Sequence, residues 1–304
     1  MAALEQARAQ FEAGEFAQAR TTAMEGLAGA PADVALMRIA GRAGVETGAD
    51  DAVEQLRRVA ELQPDSADAW RDLGDALAAE GRTDEANEAF RRVLDIDPDD
   101  ELALTALGHT AFAAGATSDA VSMLEQAADR RSGATTAAIS LVEMYRTLGQ
   151  RDEALAAARR LAAAAPDEPL YALDVGELAL ETGNADEAVE AFSRLRELVD
   201  QPEQEVGALH GLVKAELARD RREAALDVAR QASAIDTVGR STGVLAHLEA
   251  DLGVESSPDD AVARGQSTAF LQAIQAPPSR QEAEELIDAT LADLRRSLGG
   301  EGVG

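Results

Sequence analysis

The sequence predicts an all-α chain assembled from repeated helix–turn–helix units, and three observations carry that reading. A set of apolar, glycine and proline positions recurs about every 34 residues. Hydrophobic residues make up 46% of the chain but aromatics only 3%, so a core must be built from Ala, Leu and Val, which suit closely packed helices better than strands. Prolines and one series of glycines fall between the apolar stripes, where helices end.

The best copy, residues 67–100, justifies each element. Trp70, Leu73 and Leu77 recur at three and four residues and share one stripe of a first helix, with the Trp70 ring expected to be buried. Gly74 and Ala86 are small where two helices must approach closely. Gly81 ends the first helix, and Thr83-Asp84-Glu85 supplies a polar first turn for the second. Phe90 and Val93 follow, and Pro98 cannot continue the helix, so it opens the next unit. Neither helix buries its stripe alone, so neighbouring copies must stack.

Stepping by one period finds the other copies. Gly41, Gly48, Ala52, Leu56 and Pro64 fit residues 34–66, with one residue missing from the turn; Gly14, Phe16, Ala19 and Pro31 mark a weaker first copy. Downstream, residues 101–134 carry Leu104, Gly108, Gly115 and Ala120, with Ser132 in the proline slot. Residues 135–168 carry Leu141, Tyr145, Gly149 and Pro166, and residues 169–202 carry Gly176, Gly183, Ala188 and Phe192. Residues 206–237 carry Leu209, Leu212, Asp220 and Ala225 more loosely.

The end of the chain differs. Residues 239–252 read as one helix, Pro258 as a first helical position, and a further helix carries Val262, Phe270, Leu271 and Ile274 as far as Pro277-Pro278. Ser279 and Glu282 have capping-box spacing and open a last helix, residues 280–298, amphipathic through Ala283, Leu286, Ile287, Leu291, Leu294 and Leu298. A lone helix of that length is marginal in water, so its stripe must be covered. A cap on the exposed end of the last repeat, a return into the apolar middle of the groove as an internal competitor, and docking on a partner or a second copy all provide that cover.

The order Trp70, Leu73-Gly74, Leu77, Ala86, Phe90 and Pro98 resembles the tetratricopeptide repeat, with Leu77 in place of its Tyr. Seven copies resemble the family, over about three quarters of the chain. The resemblance implies a right-handed superhelical solenoid with a C-terminal helical cap. Residues 1–237 form the array, 238–276 a degenerate repeat or capping helices, and 277–304 a Pro-Pro junction, the amphipathic helix and a flexible Gly-rich tail. It also implies that first helices line a concave groove, mainly through their second, fifth, ninth and twelfth positions. Those slots include Arg38, Arg42, Arg71, Leu102, His109, Phe112, Ile139, Arg146, Leu170, Leu173, Leu180 and Lys214, taken as the partner-binding set. Arg38, Arg42 and Arg71 suit carboxylates on a ligand; the leucines, Phe112 and Ile139 give the middle an apolar lining. The ninth slot holds Arg42, Asp75, His109, Glu143, Glu177 or Lys214, never the Asn of the family's chaperone-tail clamps, so that role is not expected.

Charge narrows the partners. The formal net charge of −29 repels phosphate backbones and anionic lipid, so nucleic acid and direct membrane insertion are not expected. The chain has no cysteine, no run of about 18 apolar residues, and no basic-then-apolar leader at Met1-Ala2-Ala3-Leu4, so a cytoplasmic location is expected. No catalytic residue, metal site or cofactor is expected. His109, His210 and His247 lie far apart, and no phosphate loop, nucleophile elbow or zinc-protease motif is present. Asp97, Asp99 and Asp100 lack the Gly and distal Glu of a calcium loop. The expected function is a protein–protein interaction scaffold holding a peptide or helix in the groove. A self-assembling homo-oligomer is the alternative, and an accessory subunit of an enzyme complex a lesser one.

Overall fold

The computed structural model describes residues 2–130, 135–236, 238–254 and 277–299. The expected helix with Val262, Phe270, Leu271 and Ile274, the turn at Pro258, Ser132 and the tail after Gly299 lie outside the described residues. Among those described, all regular structure is α-helical: sixteen helices and no strand. The chain divides into two compact units, Met1–Ser140 and Leu141–Gly304.

The first unit holds four helix pairs. They are α1 (Ala2–Glu12) with α2 (Phe16–Gly29), α3 (Val34–Thr47) with α4 (Ala52–Leu62), α5 (Ala67–Ala79) with α6 (Thr83–Ile96), and α7 (Glu101–Ala113) with α8 (Thr117–Arg130). Side-chain caps start three of its first helices: Asp33 accepts from the backbone N–H of Ala35 and Leu36, Ser66 from Ala69, and Asp100 from Ala103. The second helix α6 has no such cap. It begins at Thr83, and Asp84 and Glu85 occupy the first turn, where carboxylates meet the positive end of the helix dipole.

One left-handed residue makes the turn inside each pair. Gly81 sits at φ +73°, and the next N–H, of Arg82, returns to Leu77 O at 2.9 Å. Gly14, Gly48, Gly115, Gly149 and Gly183 repeat that conformation at the same place. In the seventh pair Asp220 adopts it at φ +57°, a region where Asp is tolerated better than most residues.

Within a pair, small faces large. A Cβ added at Gly74 would lie 2.7 Å from the Phe90 ring, so glycine is what lets α5 and α6 close on that aromatic. Leu73 and Leu77 are buried with Phe90 and Val93 in a core that also takes in Met37, Leu56 and Leu107. Trp70 is only half-buried, against the sequence expectation. Its indole N–H donates to Pro64 O at 2.9 Å, which holds the ring at the edge of the core with its polar end outward.

Helix α9 (Thr135–Thr147) starts in the first unit and ends in the second. The second unit continues with α10 (Arg151–Ala164), α11 (Pro169–Glu181), α12 (Ala185–Leu198), α13 (Pro202–Ala218), α14 (Arg222–Ile235) and α15 (Arg240–Asp251). Pro169 and Pro202 occupy first-turn positions, where a missing N–H costs nothing. Phe192 is fully buried, and an added Cβ at Gly176 would come within 2.8 Å of its ring. The last described helix, α16 (Arg280–Leu298), opens with the expected capping box: Ser279 accepts from Glu282 N–H, and Glu282 accepts from Ser279 N–H. Among the described residues no helix is long and apolar enough to cross a membrane.

Candidate interaction face

The odd-numbered helices from α1 to α13 are the first helices of successive pairs, and within each unit the face they present is where the sequence places its candidate residues. In the first unit that face begins with aromatic and charged groups. The Arg42 guanidinium lies 4.7 Å from the centre of the Phe11 ring, and Phe11 meets Phe16 edge-on at 5.2 Å. With Ala35, Arg38 and Ile39 they line an open cleft of about 700 Å³.

The arginines of this face are already paired. Arg38 donates to Asp72, Arg42 lies 3.7 Å from the same carboxylate, and Arg71 reaches Asp100 as well as Asp68 at 2.5 Å. Hydrogen bonds to Asp100 and then Asp68 raise the Arg71 pKa further above its ordinary range, and the Arg71 bond holds Asp68 below its own. Three arginines thus meet Asp68, Asp72 and Asp100 within the chain. Beyond them the face turns apolar: Leu102 is 53% exposed and Ile139 is 36% exposed. Phe112 is half-buried, and His109 is exposed with Nε2 hydrogen-bonded to Ser140 Oγ at 2.8 Å.

In the second unit the corresponding face is covered. Helix α16 packs against the first helices α11 and α13 and against α15. Ala283, Ile287, Thr290, Leu291 and Leu294 are the residues it buries. A Cβ at Gly207 would lie 2.8 Å from Leu294, and one at Gly243 2.7 Å from Leu286, so two glycines form the seats of the helix. Polar contacts frame the stripe. Lys214 Nζ meets Asp288 at 2.5 Å, Arg240 pairs with Asp293, and Gln204 donates to Ser297 Oγ at 2.9 Å. His247 Nδ1 donates to Pro278 O at 2.9 Å, just ahead of the helix. At the far end Arg295 Nη2 reaches Asp174 at 2.8 Å and Glu177 at 2.5 Å, carboxylates that Arg146 also contacts at 3.2 and 3.3 Å. Burial opposes the Arg295 charge, but Glu177 and Asp174 more than compensate and raise its pKa. The last described helix therefore lies along the face of α11, α13 and α15.

Two family models, each describing the tetratricopeptide repeat, match residues 46–101 and 111–178. The chain carries tetratricopeptide repeats. Solved structures share its fold. The C-terminal part of a TPR repeat-containing protein from Cytophaga hutchinsonii aligns with a TM-score of 0.63 at 13% identity, covering 77% of this chain and 96% of that one. A tetratricopeptide repeat protein from Parabacteroides merdae aligns at 0.52 and 14% identity, covering 80% and 96%. YrrB, described as a TPR protein with an unusual peptide-binding site, aligns at 0.50 and 18% identity, covering 62% and 96%. A comparison with curated proteins found no match.

In this tetratricopeptide frame the predicted residues separate by unit. Arg38, Arg42, Arg71, Leu102, His109, Phe112 and Ile139 fall in the first, and Arg146, Leu170, Leu173, Leu180 and Lys214 in the second. Leu173 is fully buried, Leu170 and Leu180 are half-buried, and Lys214 and Arg146 hold carboxylates of their own unit. Residue-by-residue slot counting overlooked Asp72, Asp100, Asp174 and Arg295, which neutralise or hold those groups. A signal for part of this was present: side-chain pairs between neighbouring repeats recur at separations near one period, as in Arg38–Asp72 at 34, Arg71–Asp100 at 29 and His109–Ser140 at 31 residues. Arg295, 121 residues from Asp174, leaves no such trace.

Proposed function

We propose that this protein–protein interaction scaffold binds a peptide or helix on the first-helix face of its first unit. The observation that carries the reading is the exposure of Leu102 and Ile139 on two first helices of this unit, at slots that the repeat pattern assigns to the groove. Affinity would come from those anchors, with Phe112 beside them in the chain's slot pattern and the paired arginines orienting polar groups of the ligand. The peptide-binding site named for YrrB belongs to YrrB; it agrees with this reading without carrying it.

The test substitutes the anchors rather than the arginines. Arg38→Glu would set a second carboxylate beside Asp72 and disturb the fold as well as any binding. Leu102→Asp with Ile139→Asp removes exposed apolar surface instead. In quantitative affinity capture from the native host, the double variant should lose a defined set of proteins that the wild-type chain retains, with helicity unchanged. An unchanged set would overturn the proposal. Self-assembly, by head-to-tail stacking of the ends of the array, is the competing reading, and light scattering across concentration separates the two.

A further inference from the structure

We infer that the α11–α13–α15 face is a second binding site for an amphipathic helix, and that the chain's own α16 is its displaceable occupant. The inference rests on the reading that first-helix faces receive helices, and extends it from the open unit to the covered one.

The way α16 is held supports this. It meets the face through one stripe, Ala283, Ile287, Leu291 and Leu294, while its other surface carries charge. Glycines at 207 and 243 leave room for that stripe to sit close, so the face is shaped to a helix rather than to a flat loop. The ionic contacts lie at the margins: Lys214–Asp288, Arg240–Asp293, and Arg295 to Asp174 and Glu177.

Vacating the face leaves few buried charges stranded. Asp174 and Glu177 would keep Arg146, which already lies within 3.3 Å of both, and Lys214 and Arg240 are each more than a third exposed and would be solvated. A core helix removed from its setting would leave a much larger uncompensated cost. The occupant's own sequence then defines the partner: an amphipathic helix with apolar residues at i, i+4, i+8 and i+11, carboxylates at i+5 and i+10 to meet Lys214 and Arg240, and an arginine at i+12 for the Asp174–Glu177 pair. Being tethered, α16 competes at high effective concentration, so such a partner must bind more tightly than α16 or be abundant.

The experiment uses the full chain and a labelled peptide of residues 279–298, followed by fluorescence anisotropy. The full chain carrying Ile287→Glu and Leu291→Glu, which unseats its own helix, should bind the peptide at least about tenfold more tightly than the wild-type chain does. A peptide carrying Arg295→Glu should bind that variant at least about tenfold more weakly than the unmodified peptide. Equal affinity of wild-type and variant chains, including no binding by either, overturns the inference. Hydrogen exchange on the wild-type chain guards against a variant that fails to fold: α16 amides should open in a separate step, at least about tenfold faster than those of α13. Exchange of both helices in one cooperative event would make α16 part of the core and also overturn it. Leu102→Asp should leave peptide binding unchanged, so failure of the open face and failure of this one are read separately.

Discussion

The two units present the same kind of face in opposite conditions. In the first, the slot at Leu102 is filled by a large apolar side chain that no described helix covers, and it stays 53% exposed. In the second, the matching slot is Gly207, and α16 lies directly over it, with Leu294 where a side chain would have been. A first-helix face can thus be finished in two ways: by offering an anchor outward, or by removing one so that a helix can seat. The histidines show the same divergence. His109 and His210 each bond to a serine 31 residues on, yet His109 is exposed and His210 is fully buried.

That burial sets the largest expected effect. Loss of solvent, helped by nearby Arg240 and opposed by Asp236, pushes the His210 pKa down to about 4. The unfolded chain takes up a proton there near pH 6.5, whereas the folded chain resists until about pH 4. The unfolded state therefore binds more protons between those values, and stability falls as pH drops through that window, by about 3 kcal/mol in all. Below about pH 4 this group adds no further loss. Urea denaturation of His210→Gln at several pH values should show a flatter profile between pH 6.5 and 4 than wild type. Equal slopes would mean the covered unit admits a charged imidazole.

Gly207→Leu strikes the comparison at its centre. A Cβ there already crowds Leu294, so the larger side chain should cost about 1–3 kcal/mol by overpacking or by lifting α16 from its seats. Denaturant titration gives the magnitude. A neutral result would show that α16 was not seated on that glycine.

Leu102→Ala, at the same slot of the first unit, should be the smallest effect. With half its surface in water, truncation should change stability by no more than about 0.5 kcal/mol in the same titration. A loss above about 2 kcal/mol would show that Leu102 is a packing residue and that the face of the first unit is not open.

Much of this architecture was legible in the sequence because its causes are local. The turn series from Gly14 to Gly183, the small–large contact of Gly74 with Phe90, and the Ser279–Glu282 capping box each involve residues within about one period, and each stands where the pattern put it. Trp70 was misjudged because periodicity reports which way a side chain points, and not how far the next element extends over it; its indole stops at Pro64 O. The candidate site was legible as a list of slots but not as a surface. Counting Arg38, Arg42 and Arg71 as free cations missed Asp72 and Asp100, which lie outside the four counted slots.

By itself, then, the sequence determined the repeated helix pairs, their turns and the amphipathic character of the last helix, since backbone conformation and neighbour packing depend on residues about 35 or fewer apart. Which face that last helix covers was decided only in three dimensions. Its stripe demanded burial but named no partner, and the ion pairs that chose one join residues 53 to 121 apart, from Arg240 with Asp293 to Asp174 with Arg295, where the period of about 34 residues does not reach.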